Sequence, residues 1–220
     1  MTIEQNIQKL QQRINKACEK SGRSPAEVTL VAVSKTVEAD VIEAAFNAGL
    51  RHFGESRVQE SASKIEQLQK LKPDIVWHMV GHLQTNKAKT AANIFDIIHS
   101  VDSLKLAETL SNSSQRKLRI LIQVNVVDEA TKSGFALSEV NEAVRQIGKL
   151  PNLEIEGLMT IAPWVSDTEE ARPAFRQLRQ LRDALGLRHL SMGMTDDFEV
   201  AIEEGATLVR IGRAIFGERS

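Results

Sequence analysis

The feature that most limits what this chain can become is an alternation. Eight short runs have the look of buried strands: Val28–Val33, His52-Phe53-Gly54, Ile75–Val80, Phe95–His99, Leu118–Val127, Glu154–Ile161, His189–Met192 and Thr207–Ile211. Between them, Glu38–Gly49, Val58–Leu71, Gln84–Asn93, Leu104–Leu110, Leu137–Leu150, Thr168–Leu185 and Asp197–Glu204 carry apolar residues at three- and four-residue steps, the spacing of one helix face. Gly49, Pro73, Pro151 and Gly186 stand where helices should stop. Strands joined by helical crossovers lie parallel and are covered on both faces, so their runs are largely apolar. A count of eight favours an α/β fold of the closed (β/α)8 barrel type, with an open doubly wound sheet as the alternative.

Ahead of the first run, Ile3, Ile7, Leu10, Ile14 and Ala17 mark an amphipathic helix over Ile3–Lys20, ended by Ser21-Gly22-Arg23-Ser24-Pro25. Nothing in the 220 residues reads as a linker or an internal repeat. The expectation is one domain over 1–220, with an N-terminal helix in 1–22 and the barrel in 28–217.

Composition narrows the function classes. Lys and Arg number 28 against 29 Asp and Glu, so no global field draws the chain to nucleic acid or an anionic membrane. Aromatic residues make up 4%, too few for base-stacking platforms. Apolar residues make up 42%, enough for a core and short of disorder. The single cysteine, Cys18, sits beside Ala17 on the first helix and fits a reducing compartment, read as the cytoplasm. No apolar run nears the roughly 18 residues of a membrane span, and Met1–Leu10 lacks a signal-peptide core.

Barrel enzymes and binders of this type keep their chemistry at the C-terminal strand ends. Lys35 ends the first run, on the same face as Val31 and Val33 by period-two alternation. A lysine there either snorkels to solvent or, if desolvated, serves as an amine nucleophile toward a carbonyl. Ser191-Met192-Gly193-Met194-Thr195 and Arg210-Ile211-Gly212-Arg213 follow the last two strands, the common phosphate position of such barrels. Backbone N–H groups at helix starts, a hydroxyl and guanidinium groups suit an anion there, while tight turns alone would also ask for glycine. Together the two features point to a ligand with an aldehyde and a phosphate. Pyridoxal 5′-phosphate and phosphorylated sugars both qualify. His78 and His82 are four apart but lack a third ligand nearby, so core or loop roles are the better reading, and no metal is expected. Asp128–Ser133 is expected to form a loop at the barrel mouth.

Longer segments carry a resemblance. They are Ala32-Val33-Ser34-Lys35-Thr36, Phe53-Gly54-Glu55-Ser56-Arg57-Val58-Gln59-Glu60, Trp77-His78 through Gly81-His82-Leu83-Gln84-Thr85-Asn86-Lys87, Ser133-Gly134-Phe135, Gly157-Leu158-Met159-Thr160-Ile161, Ser191-Met192-Gly193-Met194, and Val209-Arg210-Ile211-Gly212 with Ala214-Ile215-Phe216-Gly217. In order and spacing the chain resembles the pyridoxal phosphate homeostasis proteins over nearly its whole length. The resemblance implies a barrel like the N-terminal domain of alanine racemase without that enzyme's second domain, and hence a monomer. It implies pyridoxal phosphate held as a Schiff base on Lys35. It also implies a phosphate held by Ser191, Gly193 and the Gly212-Arg213 turn, Met159 near the ring, and Arg210 facing the pyridine nitrogen. Ser56, Thr195 and Arg213 stand where the family often has Asn, Ser and Thr; with these three included, the expected cofactor-binding set is Lys35, Ser56, Met159, Ser191, Gly193, Thr195, Arg210, Gly212 and Arg213.

An arginine does not readily give up a proton, so it leaves the pyridine nitrogen unprotonated and the ring a weaker electron sink. In alanine racemases one of the two bases is a tyrosine from a partner subunit, and this chain has no tyrosine. The expected role is therefore a carrier: it holds a reactive aldehyde, manages its supply and hands it to cofactor-free enzymes. The alternatives are a single-base or histidine-assisted amino-acid racemase, and a Schiff-base enzyme acting on a sugar phosphate.

Overall fold

A computed structural model describes residues 2–127, 133–163 and 165–217; of the expected mouth loop, residues 128–132 lie outside the described residues. Eight strands close on themselves. β1 (Thr29–Val33), β2 (His52–Glu55), β3 (Val76–Met79), β4 (Ile97–Val101), β5 (Leu118–Asn125), β7 (Leu153–Met159), β8 (His189–Ser191) and β9 (Leu208–Ile211) pair in that order, and β9 returns to β1. Every pairing is parallel, and β4–β5 is the join that excludes an open sheet. A two-residue strand, β6 (Phe135–Ala136), pairs with the end of β5 at Val124↔Phe135; its length hides it from any periodicity reading.

Several helices are shorter than their apolar spacing predicts, for local reasons, while α5 runs three residues longer. The segment predicted as Val58–Leu71 is α3 (Val58–Gln67) followed by a 3-10 stretch, Gln69–Asp74, that accommodates Pro73. Thr168–Ala171 is likewise a 3-10 turn before α7 (Arg172–Ala184), which carries Pro at its start. The segment predicted over Gln84–Asn93 divides into a 3-10 turn, Thr85–Lys87, and α4 (Ala88–Ile94). The remaining helices are α2 (Ala39–Asn47), α5 (Leu104–Ser113), α6 (Val140–Ile147), α8 (Phe198–Glu203) and α9 (Arg213–Phe216).

The outward faces of the strands and the inward faces of the helices make the main core, with Phe53, Trp77, Ile98, Ile120, Phe175, Leu190 and Val209 all buried. Phe53 and Trp77 meet across β2 and β3 with ring centroids 5.8 Å apart. A second, smaller cluster of Val31, Val80, Leu121, Met159 and Leu208 fills the barrel interior. The N-terminal helix α1 spans Ile3–Lys20, the predicted range, and opens on a capping box between Thr2 and Gln5. It packs on α8 and α9: Arg13 binds Glu199 in a fork at 3.0 and 2.8 Å, and Asn6 donates to the Ile215 carbonyl at 2.9 Å. Cys18 is fully buried in that interface, and burial raises its thiol pKa, so it is an inert packing residue. No helix among the described residues is long and apolar enough to cross a membrane.

Candidate functional site

The C-terminal strand ends open onto one cavity of about 510 Å³, lined by Val33, Lys35, Ser56, Val80, Gly81, Ile161, Met194, Thr195, Asp196, Arg210, Gly212 and Arg213. Thus Lys35, Ser56, Thr195, Arg210, Gly212 and Arg213, which lie far apart in sequence, share one wall-to-wall space. The other three residues singled out from sequence are placed differently. Met159 is buried in the interior cluster beneath the cavity. Gly193 is buried with φ +89°, where a side chain would strike Ala201 and Phe198 at 2.6 and 2.9 Å. Ser191 is fully buried, and its hydroxyl is engaged below the cavity, with His99 and Arg210.

Lys35 is half-buried on the turn after β1. That turn is held unusually firmly. Thr36 sits at φ +64°, a conformation that β-branched residues rarely adopt. Its N–H donates to Glu60 Oε1 at 2.7 Å. The neighbouring Ser34 carbonyl accepts from Lys64 Nζ at 2.7 Å, and the Ser34 hydroxyl donates to Glu55 Oε1 at 2.8 Å. Lys64 also reaches Glu55 Oε1 at 3.1 Å and Glu60 Oε1 at 2.7 Å. Burial pushes the Glu55 carboxyl upward against the pull of Lys64, while hydrogen bonds from Lys64 and Thr36 outweigh burial and hold Glu60 low. This buried knot aims the Lys35 turn. Only the Glu60–Lys64 spacing of four on a helix signals it in the sequence; Glu55 and Ser34 join through strand register.

Arg210 crosses the cavity floor. It donates from Nη1 to Ser191 Oγ at 2.7 Å and from Nη2 to the Thr160 carbonyl at 2.9 Å. Among the described residues no carboxylate forms an ion pair with it; burial lowers its pKa to about 10, against the weaker opposing pull of the Asp197 carboxylate. A buried cation without an anionic partner is costly unless a ligand supplies acceptors. At the rim, Arg213 is ion-paired with Asp196 at 2.7 Å. Gly81 lies against the Ser56 backbone so closely that a Cβ would sit 2.5 Å from the Ser56 carbonyl oxygen, which sets the width of this wall.

His78 and His82 part company. His78 is fully buried inside the barrel, whereas His82 stands on the outer rim 3.1 Å from Asp102. Among the described residues no group of three or more His, Cys, Asp or Glu could hold a metal ion.

A family model described as alanine racemase, N-terminal domain, matches residues 2–220. Pyridoxal phosphate homeostasis proteins of Aquifex aeolicus and Escherichia coli K12 are 45% and 41% identical, covering 98% and 99% of this chain and 97% of each relative. The chain belongs to the pyridoxal phosphate homeostasis protein family. Family members share the barrel as well as the sequence. PipY of Synechococcus elongatus, solved with PLP bound, superposes with a TM-score of 0.86 at 37% identity, covering 98% of this chain and all of that one. An unknown protein from Bifidobacterium adolescentis superposes at 0.92 with 37% identity, covering 97% and 94%. Alanine racemase of Corynebacterium glutamicum, at 17% identity, shares the fold alone: TM-score 0.70, with 99% of this chain on 60% of the racemase.

Proposed function

We propose that this protein binds pyridoxal 5′-phosphate at the barrel mouth, bonds its aldehyde carbon through Lys35 Nζ with loss of water, and serves as a carrier in the homeostasis of that cofactor. The observation that carries the reading is one shared cavity with Lys35 on one side, the Arg210 guanidinium, bonded only to neutral acceptors among the described residues, below and the Gly212-Arg213 turn at the edge. The group fits this donor set. Arg210 is buried without an ion-paired carboxylate among the described residues, Asp197 acting on it only electrostatically, and it can donate to an unprotonated ring nitrogen. The first internal bond of α9 runs from the Ile215 N–H to the Gly212 carbonyl at 2.9 Å, so the amides ahead of it, on Arg213 and Ala214, suit a phosphate. The bound group would supply an electrophilic carbonyl and an electron-accepting ring. Ser56 and Thr195 offer hydroxyls on the cavity wall, and Met159 and Gly193 support that wall from beneath.

The carrier reading over an enzymatic one rests on what surrounds Lys35. The chain has no tyrosine, and the one carboxylate among the described lining residues, Asp196, is bound to Arg213. Sequestration followed by hand-over to cofactor-free enzymes, as a monomer in the cytoplasm, completes the proposal. The test is a titration with pyridoxal phosphate followed by absorbance, together with deuterium exchange at the α-carbon of alanine, serine and other amino acids. Stoichiometric binding without exchange supports a carrier; exchange lost in Lys35→Ala would make the protein an enzyme; no binding would end the proposal.

A further inference from the structure

Three histidines run through the barrel interior as one hydrogen-bonded chain. His52, half-buried at the start of β2, has Nδ1 2.9 Å from His78 Nε2; His78 Nδ1 is 2.8 Å from His99 Nε2; His99 Nδ1 is 2.8 Å from Ser191 Oγ. Ser191 Oγ then meets Arg210 Nη1 at 2.7 Å. The chain climbs from the barrel floor, across four strands, to the guanidinium under the cofactor cavity.

The direction of every hydrogen bond follows from one end. A guanidinium only donates, so Ser191 Oγ accepts from Arg210. The Ser191 hydroxyl is fully buried, and its remaining neighbour is His99 Nδ1, so it donates there. His99 Nδ1 is therefore bare, and the neutral ring carries its proton on Nε2, which donates to His78 Nδ1. The same step repeats to His52. All three rings stay neutral, because burial lowers their pKa and protonation would face Arg119 beside His52 and His78 and Arg210 beside His99. His189 faces His78 and His99 as a further titratable neighbour, and Asp96, near His52, opposes the trend.

We propose that His52, His78, His99 and Ser191 form one tautomer-locked strut that orients Arg210 and presents the negative ends of three aligned imidazole dipoles to its charge. A carboxylate in that position would neutralise the guanidinium outright. The strut instead stabilises a cation whose charge remains directed at the cavity, and aligned hydrogen bonds strengthen one another. The histidines are positioning residues, since none lines the cavity. The inference rests on the pyridoxal phosphate reading only for what Arg210 faces.

The test begins with the cofactor-free protein. Long-range ¹H–¹⁵N spectra of the histidine rings should show His52, His78 and His99 neutral from pH 6 to 8, with protons on Nε2. Ser191→Ala removes the donor that sets the pattern and should release His99 toward the Nδ1–H form. An Nδ1–H form in the wild type, a ring protonated at pH 7, or an unchanged His99 in Ser191→Ala overturns the strut. With pyridoxal phosphate added, His78→Leu should weaken binding about tenfold and move the absorption band, as loss of outer-shell support typically does, while His78→Gln, which can both accept and donate, recovers part of it. A His78→Leu protein with lowered Tm but unchanged affinity and band also overturns the strut. A wild type that takes no pyridoxal phosphate would end the functional reading and leave the ring spectra to decide the strut by themselves.

Discussion

Removing Lys64 tests how the turn that carries Lys35 is held. Its ammonium, with a side chain only 10% exposed, joins Glu55, Glu60 and the Ser34 carbonyl at 3.1, 2.7 and 2.7 Å. Glu55 is fully buried, and its Oε2 has no hydrogen-bond partner among the described residues. Lys64→Ala therefore strands a buried carboxylate, a loss of about 3–5 kcal/mol for breaking a buried pair. Glu60 stays partly hydrated and adds little. For a chain of this size each kcal/mol moves Tm by about 2–4 °C, so a fall near 10 °C is expected. The pH dependence identifies the cause. Burial already raises the Glu55 pKa, and loss of Lys64 raises it further. A carboxyl with a raised folded pKa contributes stability below its unfolded value, about 4.3, and loses it as pH rises through the folded value. The penalty of Lys64→Ala should therefore be largest at pH 7.5–8 and shrink toward pH 5, as Glu55 takes up a proton. Glu55→Gln keeps the volume and leaves Lys64 on Glu60 and Ser34, and should cost about 1 kcal/mol or less. Urea unfolding of the two variants across pH 5–8 reads all of this. A Lys64→Ala penalty below about 1 kcal/mol at pH 7.5, or one that does not change with pH, would refute the reasoning.

Arg210→Gln should weaken pyridoxal phosphate binding at least about tenfold, since a charge-assisted donor is worth roughly 1.5–3 kcal/mol, and should shift the bound absorption band; an unchanged band argues against contact with the ring. Gly81→Ala should lower Tm by several degrees and weaken binding, because the new methyl must displace the Ser56 backbone 2.5 Å away; wild-type affinity in this variant would show that the wall is not set there. The depressed histidine pKa values make the unfolded chain bind more protons, so stability should fall as pH drops below about 6.5; His99→Gln should flatten that decline, measured by Tm against pH.

The strands were legible because parallel strands covered on both faces are largely apolar, as Ile120, Leu121, Ile122 and Val124 are within Leu118–Asn125. The 3-10 interruptions at Pro73 and Thr168 blurred helix limits, because the apolar spacing runs on through them. Lys35 and Arg210 could be found from sequence, as both stand at strand ends in a fold that places its chemistry there. The partners that fix them could not. His78 reads naturally with His82, four residues on, yet its bonds go to His52 and His99 on the two adjacent strands. Such pairings depend on register between strands, and register leaves no local pattern. Ser191 shows the same effect: its motif associates it with phosphate, while its hydroxyl is committed to His99 and Arg210.

The central claim is the covalent capture of an aldehyde by Lys35. Incubation with pyridoxal phosphate, reduction with borohydride and peptide mapping tests it most directly. The account predicts an imine absorption band, one label per chain on Lys35, and a Lys35→Ala variant that folds normally, takes no label and keeps weaker, non-covalent affinity. A label on another lysine, or a protein that takes up no pyridoxal phosphate at all, would contradict it.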